Sequence, residues 1–444
     1  MTSLKPTIPP LVKNEGGQVS RQIFTDPALY RVELDQVFGR AWLFLAHDTQ
    51  LPKPGDFLNT FMGEDPILVI RQNDGSIKAF LNACTHRGPL LCQAEEGRAK
   101  TFQCTYHGWV FGIDGSLIDV RPEGEASYGA RKAEFGLKSI RIESYKGLWF
   151  GNFDDETASL KDFLGDFTWY LDTIFDPLPT GVEFVGGTMR QRLKCNWKLA
   201  AENIVADTYH VFAAHAVAAG VNMSRATMRL PVGIEPGGPP GISATVSGHG
   251  WNAHSDGYGS YALFRDPKQW MAYVDRQRPR YIERLGAERA QFIGSSIDGG
   301  MFPNFLFVPG FTYRQIHPKG PDECEIWMWT VVDKELPDEL KQEMVRFNAR
   351  MLGTSGMFEM DDCANMERIT TTLHGTLGRH QYSDYTMGQG LEARHEIYPG
   401  LVEKRISDNG FRGYYRRWAE YMQANSAKDI PPTENLRHKE RSHG

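Results

Sequence analysis

Along most of the chain the apolar positions keep a period, and that period changes twice. Residues 26–42, DPALYRVELDQVFGRAW, put Tyr30, Leu34, Val37 and Phe38 on one helical face, with Asp26 as N-cap and Pro27 at the first helical position. From Trp42 to Asp154 the period shortens. PILVIRQNDGSIKAFLN and WVFGIDGSLIDV are strand-like runs divided at Asp74-Gly75 and Asp114-Gly115, dipeptides suited to tight hairpins, and KGLWFGNFD adds a further strand. Beyond it both periods occur. NWKLAAENIVADTYHVFAAHA and ELPDELKQEMVRFNARMLG read as helices, whereas NFLFVPGFTYRQIHP and ECEIWMWTVVD read as long sheet strands. Residues 231–260, rich in Gly, Pro and Ser, read as a long loop of the kind that covers a pocket, and the polar tail from residue 427 reads as frayed. The pattern predicts an α+β chain. A small all-β domain, residues 42–154, is inserted into a larger domain, residues 1–41 and 155–444, with an antiparallel sheet flanked by helices.

Composition narrows the classes. With 444 residues, 41% hydrophobic and 23% charged, the chain has ample core and is not disordered. A formal charge of −6 without a long basic run argues against a nucleic-acid partner, and no segment approaches the roughly 20 apolar residues of a membrane span. The amino terminus lacks a signal-peptide core, so a cytoplasmic location is expected. Six scattered cysteines do not make a disulfide framework; Cys92, Cys195, Cys324 and Cys363 default to packing.

The other two cysteines have histidine companions. CTHRGPLLCQAEEGRAKTFQCTYHGW carries Cys84-x-His86, seventeen residues, then Cys104-x-x-His107. Two thiolates and two imidazoles suit either tetrahedral zinc or an iron–sulfur centre with two histidines on one iron. The single residue between Cys84 and His86, the histidine closing each pair, and the hairpin surroundings all differ from a zinc finger. The set resembles the Rieske motif at all four positions. That resemblance implies a [2Fe–2S] cluster with Cys84 and Cys104 on one iron and His86 and His107 on the other.

A second set lies in the alanine-rich segment. Asp207 and His210 share a helix face, but His210 and His215 are five apart, roughly 140° around an ideal helix, and converge only if the helix breaks or widens. Two imidazoles and a carboxylate are what non-haem Fe(II) uses while leaving positions open. The pattern NWKxxxENxxxDxYHxxxxH, with the later Phe358-Glu359-Met360-Asp361-Asp362, resembles the large subunits of Rieske-type aromatic-ring-hydroxylating dioxygenases, nearest the naphthalene, biphenyl and phenylpropionate group.

The resemblance implies that Asp362 completes a triad with His210 and His215; sequence physics alone does not separate it from Asp361. It implies that Asp207 links His210 to His107 of a neighbouring subunit. It places Asn203, Ile204, Val211, Leu352 and Phe358 along the substrate pocket, an apolar wall suited to a flat hydrocarbon. An inward Arg192 or Arg314 would instead favour an aromatic acid. Glu202 and Trp197 are candidates for ordering the iron-bearing helix. The implied activity is cis-dihydroxylation of an arene with O2, using NAD(P)H electrons passed through a reductase and a ferredoxin. The implied assembly is an α3 trimer or α3β3 with a small β subunit. A Rieske monooxygenase or demethylase uses the same ligands, an electron carrier would need only the first site, and a zinc-stapled binding module needs neither iron.

Overall fold

The computed structural model describes residues 10–215, 241–254, 264 and 266–434. It divides into two compact units. One is residues 38–161 with 426–428; the other comprises the chain up to residue 37 and from 162 onward apart from that short return.

The smaller unit is built on a seven-stranded antiparallel sheet, in the order Leu43–His47, Leu148–Asn152, Ser139–Tyr145, Ile77–Leu81, Asp65–Arg71, Asp56–Met62, Glu96–Arg98. A three-stranded sheet, Leu117–Asp119, Val110–Gly112, Thr101–Gln103, lies in the same unit. The expected hairpins form at Asp74 and Asp114. Each aspartate accepts from the backbone N–H and the hydroxyl of the serine two residues on, Ser76 and Ser116, so the side chain pins its own turn. Phe57, Phe80, Phe102, Trp109 and Phe111 pack around Cys84, Cys92 and Cys104. To the expected strands the structure adds one short helix, Pro122–Tyr128.

The larger unit is organised by a nine-stranded antiparallel sheet. Its order is Val182–Leu193, Cys324–Asp333, Thr312–Pro318, Phe305–Phe307, Ser296–Met301, His249–His254, Gly241–Val246, Leu401–Glu403, Ala393–Arg394. Residues 305–318 form two strands, not one long strand, because Pro309-Gly310 makes a turn with Gly310 at φ +83°. The expected 231–260 loop also needs correction. Residues 241–254 are a paired hairpin deep in the sheet, whose buried Ala244, Val246, Trp251 and Ala253 outweigh its glycines; the rest of that segment lies outside the described residues, as does the tail beyond 434.

The helix Trp197–Val205 lies on the central strands Ser296–Met301, Phe305–Phe307 and Thr312–Pro318. Its end comes so near the sheet that a Cβ at Gly250 would stand 2.3 Å from the Val205 carbonyl oxygen. Beneath it, the amino-terminal helix is capped by Asp26 as expected but stops at Phe38, just before Gly39. This helix contributes Glu33, fully buried, whose carboxylate accepts from Lys198 Nζ (2.5 Å), Trp197 Nε1 (3.0 Å) and Trp418 Nε1 (2.8 Å). Glu202, on the same helix as Lys198, accepts from the hydroxyls of Tyr385 (3.0 Å) and Tyr415; burial pushes its carboxyl up to about 8 even so. Among the described residues no helix is long and apolar enough to cross a membrane.

Candidate metal centres

In the smaller unit the four candidate ligands stand on two loops of the same construction. Cys84 N–H donates to the Pro89 carbonyl and Gly88 N–H to the Cys84 carbonyl (2.9 and 2.8 Å); Cys104, Trp109 and Gly108 repeat the pair at 2.8 and 2.9 Å. Each loop closes on a left-handed glycine, Gly88 at φ +83° and Gly108 at +73°, where a side chain would be strained. The turns direct both cysteines inward, where they are buried, and leave both histidines half-buried at the rim. His86 lies flat on Trp109, centroids 4.5 Å apart, and 4.6 Å from the His107 ring. Burial pushes the Cys84 thiol up to about 11, with Cys104 beside it adding to the effect, and the backbone N–H groups of His86 and Arg87 work the other way. His86 Nδ1 is buried without a hydrogen-bond partner. A buried acceptor with nothing to accept from fits a metal ligand, and the donor set fits a cluster with sulfur on one iron and nitrogen on the other.

In the larger unit the alanine-rich segment is not one helix. Ala206 leaves the helical region at φ −154°, and helix resumes only at Val211–Ala214. This break is what lets residues five apart converge. His210 Nε2 and His215 Nε2 are 3.3 Å apart, and Asp362 Oδ1 is 3.2 Å from the first and 3.3 Å from the second. Asp362 stands on the helix Met357–Leu373, one turn after Glu359. The structure thus separates the adjacent aspartates. Asp362 is 3% exposed and faces both Nε2 atoms, whereas Asp361 reaches the far side of His215, Oδ2 to Nδ1 3.4 Å.

Asp362 Oδ1 is buried and finds no partner of hydrogen-bond geometry although two imidazoles are near it. Burial opposes charge on these groups. Even so, the His210 and His215 imidazoles beside it hold Asp362 well below the usual carboxylate range, and Asp207 and Asp362 push His210 up to about 10. Three donor atoms at this spacing, with bonds of about 2.1 Å, would be adjacent ligands of one ion. Both outer nitrogens are oriented. His210 Nδ1 donates to the Asp207 carbonyl, and Asp207 Oδ1 accepts from His210 N–H at 3.1 Å and lies 3.5 Å from Nδ1.

The pocket candidates fall in different places. Asn203 Nδ2 is 3.4 Å from His210 Nε2, and Phe358 stacks on His215 with centroids 4.7 Å apart. Ile204 and Leu352 are buried, and Val211 is exposed. Arg314 faces inward but is already engaged, Nη2 to Glu359 Oε2 at 2.6 Å and Nε to Thr312 at 3.0 Å; Arg192 is exposed beside Glu323. Neither arginine stands free to hold an aromatic acid. Sequence reasoning missed Asp298, whose carboxylate accepts from Thr208 and from Asn252 Nδ2, each at 2.9 Å, and which burial pushes up to about 7. Its one signal was an acid in the middle of the strand Ser296–Met301.

Comparison with known proteins agrees with both centres. Residues 41–141 match the Rieske [2Fe-2S] domain family, and residues 162–424 match the ring hydroxylating alpha subunit (catalytic domain) family. The chain is 36% identical over 425 residues to the biphenyl 2,3-dioxygenase alpha subunit of Rhodococcus jostii strain RHA1, covering 93% of this chain and 90% of that one. It is also 36% identical over 426 residues to a benzene 1,2-dioxygenase alpha subunit of Pseudomonas putida, covering 93% and 92%. Naphthalene 1,2-dioxygenase with indole bound in its active site superposes with a TM-score of 0.89 at 33% identity, covering 95% of each chain. A Rieske centre and a mononuclear iron are therefore the cofactors, electrons reach the chain from partner proteins, and its role is that of a terminal oxygenase. The chain belongs to the family of ring-hydroxylating dioxygenase alpha subunits.

Proposed function

We propose that this chain cis-dihydroxylates an apolar aromatic ring, with His210, His215 and Asp362 holding the iron and Cys84, Cys104, His86 and His107 holding the cluster. The observation that carries the reading is the mutual approach of three metal-binding atoms around a buried, unpartnered carboxylate oxygen. When bound, the iron supplies reduction and activation of O2, with electrons from the cluster.

The chain's own residues do the rest. Asp207 and Asp361, on the Nδ1 sides of the two histidines, fix the rings so that both Nε2 atoms point at Asp362. Asp207, partly exposed, is also proposed to connect His210 to His107 of a neighbouring copy, since a carboxylate accepts from imidazole on either side. That requires an α3 ring, with or without a small β subunit. Electrons come from NAD(P)H through a reductase and a ferredoxin, in the cytoplasm. Residues 42–154 form the cluster domain, and the remainder forms the catalytic domain.

Two relatives are named for biphenyl and benzene, and the superposed structure for naphthalene, all apolar arenes. Phe358, Leu352 and Ile204 offer this chain the same kind of surface, with Asn203 as a polar neighbour and Val211 at the rim; a ring is recognised there by burial and aromatic contact. The test is turnover with ferredoxin and reductase under isotopically labelled O2 on mono-, bi- and polycyclic arenes. A cis-diol carrying two labelled oxygens is expected. A singly labelled phenol or a demethylated product, shown not to come from diol dehydration, would replace dihydroxylation with monooxygenation.

A further inference from the structure

The break between the two helical pieces is held by the sheet. Among the described residues, the side-chain hydrogen bonds from residues 206–210 to the sheet all come from Thr208, whose Oγ1 lies 2.9 Å from both carboxylate oxygens of Asp298. Asp298 is itself held by Asn252 Nδ2, and the two are register partners on neighbouring strands, so the anchor is part of the sheet. Thr208 is 6% exposed, whereas its neighbours Asp207 and Tyr209 turn outward, Tyr209 to 66%. Pulling Thr208 down onto Asp298 therefore turns Asp207 up and brings His210 back toward Asp362.

We infer that Thr208 is a positioning residue whose hydroxyl, latched to Asp298, sets the geometry of the Asp207–His210 step between cluster and iron. This rests on the proposed roles of Asp207 and His210. A hydrogen bond of this kind holds the hydroxyl against the carboxylate, because the threonine has one proton to donate and both Asp298 oxygens stand at 2.9 Å to accept it. Valine has the same shape and no proton. Serine has the proton and lacks the methyl.

The experiment compares Thr208→Val, Thr208→Ser and Asp298→Leu in the intact oxygenase. It measures iron and acid-labile sulfide, the electron paramagnetic resonance of the Fe(II)–nitric oxide adduct, KM for the arene, and the rate of cluster oxidation in a single turnover. For Thr208→Val we expect both metals retained, KM nearly unchanged, an altered nitric oxide signal, and cluster oxidation slowed about tenfold or more. Thr208→Ser should restore the rate to within about twofold, and Thr208→Val with Asp298→Leu should be no slower than Thr208→Val alone. A packing role predicts the opposite order, with valine tolerated and serine impaired. That order, or a fast valine variant, overturns the latch. If Asp207→Ala transfers electrons at the wild-type rate, the underlying reading of Asp207 fails instead, whatever Thr208 does.

Discussion

The two metal-binding regions are built in opposite ways. The proposed cluster ligands come from two copies of one local device, a five-residue loop closed by a left-handed glycine, set on short hairpins. The proposed iron ligands come from a helix that breaks and from a second helix far along the chain, and neither piece makes a site alone. A local device carries its geometry in its own backbone bonds. A site assembled at long range borrows its geometry from whatever holds the parts, here Thr208 on the sheet, Asp361 behind His215, and Arg314 beside Glu359. Damage should therefore spread differently in the two regions.

The sharpest break is metal loss on one side only. Asp362→Ala should lose the mononuclear iron and all turnover with the cluster's visible spectrum unchanged, while Cys104→Ser should lose that spectrum and keep one iron per chain; iron and sulfide analysis reads both. Asp207→Ala should keep both metals yet leave a reduced cluster that no longer oxidises on mixing with O2 and substrate. Arg314→Met strands the buried Glu359 without its cation and should lower the stability of the larger unit by about 3–5 kcal/mol. Denaturant unfolding followed by tryptophan emission would show this, with the cluster absorbance in the smaller unit lost no earlier than in wild type. Asp361→Asn keeps the ligands but weakens the orientation of His215, so chelator competition should report iron held about tenfold less tightly.

A further effect is one of pH. His249 is fully buried, accepting from Phe302 N–H (3.0 Å) and donating to the Phe163 carbonyl (3.0 Å), and burial pushes its ring down to about 3. The unfolded ring, near 6.5, binds a proton that the folded ring refuses. The stability from this group is complete above pH about 6.5 and is lost as pH falls toward 3, by up to ~1.4 kcal/mol per unit. His249→Gln, which does not titrate, should flatten that slope in a melting series between pH 7 and 5.

The same contrast explains what could be read beforehand. Cys84 to His107 is one uninterrupted stretch whose spacing is its chemistry, so the cluster set was legible from residue types alone. For the triad, the histidines were legible only with the condition that their helix break, and sequence periodicity contains no term for a break held by Thr208 and Asp298 across the fold. Asp361 and Asp362 differ by about 100° on a helix, but which one faces inward depends on how the helix is rotated, and contacts such as Arg314–Glu359 fix that. The 241–254 hairpin is hidden in the sequence because glycines break periodicity, while in the fold Gly250 lets Val205 approach.

Glu33 gives the two units different histories during synthesis. The ribosome makes its carboxylate early, yet two of its partners, Trp197 and Lys198, follow more than a hundred and sixty residues later, and Trp418 comes 385 residues after it. Until nearly the whole chain has emerged, the amino-terminal helix has no finished place to go, whereas residues 38–161 have by then long been complete. The nascent chain can thus carry every cluster ligand on a unit that lacks only residues 426–428 well before any iron-binding triad exists.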